Sequence, residues 1–185
     1  MKKYKNKHRI ESIRAPWWDY SQPGLYFITI CTKDKISYFG DLQYGRMEWT
    51  PVGVAAHLLW KEIPFHHQHV SLDEFIVMPN HLHGILRLDE HVISNPIKKE
   101  LKPGKNEYFS KISPKPGSVT AIVRSYKSAV THFANQMGLA HAWQSRFHDH
   151  IIRNQESYHR IKNYIIQNPA HWESDCFYFR PPVET

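Results

Sequence analysis

Two histidines flank one leucine at the end of an apolar run, Phe75-Ile76-Val77-Met78-Pro79-Asn80-His81-Leu82-His83-Gly84-Ile85-Leu86. In an extended chain, side chains alternate between faces, so His81 and His83 share a face and Leu82 points the other way. Two imidazoles side by side on a strand are half of a divalent-metal site. Such a site would suit an enzyme acting on phosphate; without it the chain reads as a basic binding module. Spacing alone is a weak signal, because the chain holds 14 histidines and the pairs His148/His150 and His67/His69 repeat it. The alternative is two polar residues on the solvated face of a half-buried sheet.

A metal site needs a third ligand and a reactive group nearby. Tyr164 and Asn168 are four residues apart and share one face of a helix. A phenol oxygen can form covalent intermediates, and the Asn168 amide carbonyl could complete a metal's protein shell. On pattern alone, a helix tyrosine packed through its ring is the commoner case for Tyr164. Tyr158 lies roughly 120° around the same helix from Tyr164 and does not qualify as a second nucleophile.

The elements that must position these groups follow from periodicity and turn chemistry. Leu25 to Thr32 is rich in β-branched and aromatic residues and predicts a first strand. Asp34-Lys35 reads as a turn, and Ile36 to Phe39 as a short second strand. Thr50 is a good N-cap, Pro51 suits the first helical position, and Pro64 ends that helix. His69 to Met78 and His81 to Leu88 read as strands, with a bend at Pro79-Asn80. Ser118 to Met137 is a helix with Arg124, Lys127 and Ser128 on its polar face. Trp143 to Arg153 is extended, and Asn154 caps a last helix from about Gln155 to Gln167, stopped by Asn168-Pro169. The order β-β-α-β-β-α-β-α predicts an α+β sandwich, an antiparallel sheet with helices packed on it.

The 185 residues suit one domain, here 15–175, with a basic arm over 1–14 and a tail over 176–185. Residues 90–117, with six lysines and several prolines and glycines, read as a long basic loop inserted in that domain. The net charge of +7 favours a polyanionic partner. Cys31 and Cys176 form neither a disulfide framework nor a zinc pattern, and a reducing cytosolic setting is expected. No apolar run approaches a membrane span and no secretory signal is present, so a membrane partner is not expected.

With these residues in hand, the chain resembles the REP-associated branch of the single-tyrosine transposases. MPNHLHGIL is similar to their histidine-hydrophobic-histidine motif, and NYIIQNPAHW to their tyrosine helix. KPGSVTAIVRSYKSAVT, WQSRFHDHIIRN and DYSQPGLYFITICT are similar to further segments, so the resemblance runs over roughly residues 10–170 in order. It implies a ferredoxin-like, RRM-like sandwich and cleavage and rejoining of single-stranded DNA beside a hairpin. It further implies Tyr164 as nucleophile and a divalent ion, Mg²⁺ or Mn²⁺, held by His81, His83 and Asn168. Asn168 is the softest of these assignments: many relatives carry a glutamine or an asparagine there, and an asparagine has the shorter reach.

The implied reaction is a transesterification through a 5′-phosphotyrosine. DNA contacts are expected from Lys98, Lys99, Lys102 and Lys105 in the loop, Arg124 and Lys127 on the helix, and Arg146, His150 and Arg153 nearer the tyrosine. His150 is expected to support the site and His148 to have no role. His66, His67 and His69 read as surface residues. No organic cofactor is expected, a homodimer is an option, and the expected place is the nucleoid in the cytoplasm. Two competing readings are a non-catalytic hairpin DNA- or RNA-binding protein on the same fold and a metal-dependent phosphodiesterase that uses water.

Overall fold

The computed structural model describes residues 3–4, 7–8, 17–90 and 114–178. Lys98, Lys99, Lys102 and Lys105 lie outside the described residues, as do most of the basic arm and the end of the tail. In the arm, two-residue strands β1 (Lys3–Tyr4) and β2 (Lys7–His8) pair antiparallel.

The centre of the fold is one antiparallel four-stranded sheet. Its strands are β3 (Gly24–Cys31), β6 (Val70–Met78), β7 (His81–Leu88) and β8 (His148–Ile152), in the spatial order β6-β7-β3-β8. Helix α1 (Pro51–Lys61) follows β3, and α3 (Val119–Gln136) follows β7. This βαββαβ order with antiparallel neighbours is the ferredoxin-like arrangement expected from the sequence. Helix α4 (Gln155–Gln167) follows the last strand and adds a third layer.

Strand parity divides the chemistry between two faces. Tyr26, Ile28 and Ile30 of β3 and Leu82 and Leu86 of β7 face α1 and α3 and join Trp60, Ile122, Val123 and Val130 in the main core. Gly84 belongs to this face: a Cβ there would stand 2.5 Å from the Trp60 ring, so only glycine lets α1 pack so closely on β7. The opposite face carries Ile85 and Ile152, which meet Ile161 and Ile165 of α4 in a smaller cluster. His81 and His83 lie on this second face.

The helix ends follow their caps. Thr50 Oγ1 accepts from Gly53 N at 3.1 Å, Ser118 Oγ from Ala121 N at 3.3 Å, and Asn154 Oδ1 from Ser157 N at 2.8 Å. Pro64 does interrupt α1, but the chain continues for one short helix, α2 (Ile63–His66). The last helix runs into a 3₁₀ segment at Asn168–Ser174.

One expected strand is absent. Ile36 to Phe39 is irregular: Thr32 Oγ1 donates to Ile36 O, Phe39 N bonds Pro79 O, and only the Phe39 side chain is fully buried. Asp34 and Lys35 sit in the left-handed region, which turns the chain away from strand geometry. The hairpin lies further on, as β4 (Gly40–Gln43) and β5 (Arg46–Trp49), joined by Tyr44 and Gly45 at positive φ. That two-residue turn has the backbone of a primed hairpin turn without its usual Asn or Asp.

Candidate active site

β7 presents both histidines toward α4, and both are buried, His81 at 0% and His83 at 1% exposure. They are therefore not polar residues on a solvated face. Burying two unpaired imidazoles would be costly unless each nitrogen is accounted for. His81 Nδ1 is 2.9 Å from Asn80 Oδ1, and His83 Nδ1 is 2.9 Å from Thr29 Oγ1. Asn80 can only accept through Oδ1, so His81 carries its proton on Nδ1 and leaves the Nε2 lone pair free. Asn80 is itself fixed, donating through Nδ2 to Lys35 O and Phe177 O.

Helix α4 brings Tyr164 over this pair. Its Oη is 3.1 Å from His83 Nε2 and 3.3 Å from Asp175 Oδ2. With a single phenolic proton, Tyr164 donates to one of these at a time. Asn168, four residues on and 1% exposed, donates through Nδ2 to Asp175 Oδ2 at 2.8 Å. That bond sets its amide orientation and leaves its Oδ1 buried with no hydrogen-bond partner among the described residues. His81 Nε2 is buried and without a partner in the same way.

Asp175 is the member that sequence reasoning missed. One ligand atom each from His81, His83 and Asp175 lies within 4.8 Å of the others, close enough to hold one metal ion. Asp175 comes after the 3₁₀ segment, where the chain folds back: its Oδ1 accepts from Phe177 N, and the Phe177 ring lies 4.5 Å from that of His81. No periodicity marks such a residue. Thr29 and Asn80 were also missed; pairing β3 with β7 in register, Thr29 opposite His83, is the signal that would have found the first.

The electrostatics suit ligands rather than cations. Burial pushes His81 down to about 3, with Asn168 acting weakly against it. Burial, then the neighbouring His81, holds His83 well below the ordinary imidazole value, while Asp175 opposes. Both rings are thus neutral with a lone pair available. Burial first, and then the Asp175 charge, raises the Tyr164 phenol above its ordinary value, so the phenol keeps its proton here. The orphaned His81 Nε2 and Asn168 Oδ1, beside a carboxylate and a second imidazole, form a donor set that fits a divalent ion.

The remaining expected residues spread over the molecule. Phe27 stacks on His83 at 5.3 Å and so lines the site as well as the small core. His148 and His150 are exposed on β8, opposite Thr29 and Phe27 in the register, hence on the face of the site. Tyr158 Oη donates to Asp73 Oδ2 at 2.7 Å and serves the packing of α4. Arg153 is exposed, 5.3 Å from the Trp17 ring, and Arg146 is exposed before β8. Arg124 is exposed on α3, in the layer on the far side of the sheet from Tyr164. Lys127 of the same helix turns in, donating to Gln144 O and lying over Trp143. His69 Nε2 is 2.9 Å from Gly117 O.

No protein-family model matches the chain. An uncharacterized protein of Haemophilus influenzae is 36% identical over 175 residues, covering 92% of this chain and 94% of that protein. The chain belongs to the family of this Haemophilus protein. It also resembles the REP-associated tyrosine transposase of Escherichia coli K12, with 23% identity over 151 residues, 82% of this chain and 69% of that protein. The solved structure of a REP-associated tyrosine transposase bound to a REP hairpin has the same fold. It superposes with a TM-score of 0.58 at 20% identity, over 88% of this chain and 74% of the other. The α+β sandwich expected from the sequence is therefore the fold of those transposases.

Proposed function

We propose that the protein cleaves and rejoins single-stranded DNA beside hairpins, with Tyr164 as nucleophile. The observation that carries this is the contact of Tyr164 Oη with His83 Nε2 at 3.1 Å, which joins helix and strand in one site. The resemblance to transposases, one of them seen bound to a REP hairpin, supplies the substrate class.

In this reading Tyr164 Oη attacks the scissile phosphorus. A new P–O(Tyr) bond forms, the P–O3′ bond breaks, the phenolic proton is lost and the 3′ oxygen leaves as a hydroxyl. The 5′-phosphotyrosine keeps the phosphodiester energy, so a 3′-OH from a second strand can attack it, reverse the step and join the DNA. A divalent ion held by His81, His83 and Asn168, with Asp175 as a further ligand, would supply Lewis-acid stabilisation of the charge on phosphate. Asn80 holds His81 in the tautomer that a ligand needs, and Thr29 orients the His83 ring. Asp175 Oδ2 accepts from Tyr164 and Asn168 and keeps the phenol aimed into the site. Phe27 and Phe177 shield the histidines from water.

The test is a labelled single-stranded hairpin incubated with the protein and Mn²⁺ or Mg²⁺ and run on a denaturing gel. A covalently shifted band is expected, absent with chelator and absent for Tyr164→Phe, which still binds the hairpin. An adduct that survives in Tyr164→Phe would show that another residue attacks. Free cleavage products with no adduct would favour hydrolysis by water.

A further inference from the structure

A cavity of about 410 Å³ opens where the free edge of β8 meets the first turns of α4. Its wall includes His150, Arg153, Ser157 and Arg160. We propose that this cavity binds a backbone phosphate of the single-stranded DNA segment that leads to Tyr164. The inference rests on the DNA-processing function proposed for Tyr164 and names where that strand runs.

Four observations carry it. First, neither Arg153 nor Arg160 makes an ion pair among the described residues, although both are exposed. The two guanidiniums present fixed charge and several donors, the recognition chemistry of a phosphate. Second, the Ser157 hydroxyl lines the same cavity, and its Oγ is buried without a hydrogen-bond partner among the described residues. Such a group is costly to bury unless a ligand or water completes it. Third, the single carboxylate in the wall, Asp149, stands opposite Ile28 in the register, so by strand parity it lies on the other face of the sheet from His150. Fourth, the cavity is aligned with the nucleophile. Ser157, Arg160, Tyr164 and Asn168 follow one another at spacings of three and four and form one stripe along α4. Helical rise places Arg160 about 6 Å and Ser157 about 10 Å along the axis from Tyr164, the reach of the neighbouring phosphates on one strand. His148 and His150 run beside that path on β8. The positive field is felt locally: His150 lies below its ordinary value through burial, then through His148, Arg160 and Arg153, with Asp149 opposing least.

The ligand class follows from this layout. One row of cations with a hydroxyl, leading along a helix to a phenol, matches a single extended phosphodiester chain. The exposed Trp17 ring under Arg153 adds a face on which an unpaired base can stack.

The experiment measures binding in chelator on a Tyr164→Phe background, so no cleavage intervenes. Two DNAs are compared, a hairpin with a single-stranded flank and the same hairpin with blunt ends. Arg153→Gln/Arg160→Gln should bind the flanked DNA about tenfold more weakly. Its salt dependence should be shallower by about 0.7 in log–log slope, the share of the one single-strand phosphate that the variant leaves without its arginines. Binding of the blunt hairpin should not change. Ser157→Ala should reproduce part of the loss, and Lys61→Ala, which removes one exposed charge from the opposite layer, should reproduce none. A neutral methylphosphonate placed along the flank should weaken wild-type binding at one position and have no further effect there in the arginine variant. An unchanged slope, or equal losses for flanked and blunt DNA, overturns the proposal. Failure of wild-type protein to form an adduct with Mn²⁺ would instead count against the tyrosine chemistry and leave this binding result standing.

Discussion

Each histidine of the candidate site has a dedicated partner at Nδ1, Asn80 for His81 and Thr29 for His83. Partners of this kind orient a ligand, Asn80 also fixes the tautomer, and their loss typically lowers metal affinity 10- to 100-fold. Thr29→Val keeps the shape of the β3 side chain and should weaken Mn²⁺ binding by about that factor, measured by calorimetry, with a small change in melting temperature. His141 gives a different test, away from the site. Its two nitrogens are buried among Tyr38, Phe39 and Trp143 with no hydrogen-bond partner among the described residues, and burial, then the Lys127 charge, lowers it to about 4. Its unfolded value is near 6.5. Between those values the unfolded chain binds a proton that the folded chain does not, so stability falls as pH drops from about 6.5 toward 4. His141→Leu should flatten that acid limb in a series of thermal melts; a limb of unchanged slope would exclude this residue as a contributor. Asp175 shows the limit of reading residues from sequence. Its partners are 7, 11, 92 and 94 positions away in the chain, at Asn168, Tyr164, His83 and His81, and no repeat or cap connects them.

At the scale of elements, the helix bearing Tyr164 is held by polar contacts as much as by its small apolar cluster. Asp73 on β6 accepts from Tyr158 Oη at 2.7 Å and from Lys162 Nζ at 2.8 Å. Tyr158→Phe removes one hydrogen bond to a charged acceptor and should cost about 1.5–3 kcal/mol, read as a shifted denaturant midpoint. Hydrogen exchange should rise in α4 more than in β7. The hydrogen bonds to Asp73 hold its carboxyl below the usual carboxylate value against burial. Its contribution is therefore present above the unfolded value of 3.8 and is lost as pH falls below it. Most of these elements were legible in the sequence, because strands rich in β-branched residues and helices with Thr50, Ser118 and Asn154 caps carry local physical signals. The hairpin β4–β5 was not legible, since Tyr44-Gly45 adopts a turn usually marked by Asn or Asp. Apolar Ile36 to Phe39 imitated a strand, whereas its fate is set by a left-handed pair just before it and by bonds to Pro79.

The molecule as a whole is a sheet with unequal sides. Trp60, pressed on Gly84, and the residues of α1 and α3 make one face a large apolar core, while four isoleucines secure the other. Gly84→Ala would force a methyl into the Trp60 ring and should cost about 1–3 kcal/mol, detected as a lower melting temperature. The expected histidine pair, tyrosine and asparagine were legible as motifs, but their meeting depends on α4 crossing the lightly packed face, which no local pattern encodes. That asymmetry has a thermodynamic consequence. Tyr164 sits on the layer with the smaller apolar anchorage, whereas the histidines sit on the most deeply buried strand. Any ion shared by His81, His83, Asn168 and Asp175 then acts as a rivet between layers of different stability. At a hundred times its dissociation constant, such an ion adds about 2.7 kcal/mol to the riveted state. Hydrogen exchange with and without Mn²⁺ should show that gain in α4 and the segment through Asp175, with α1 and α3 little changed.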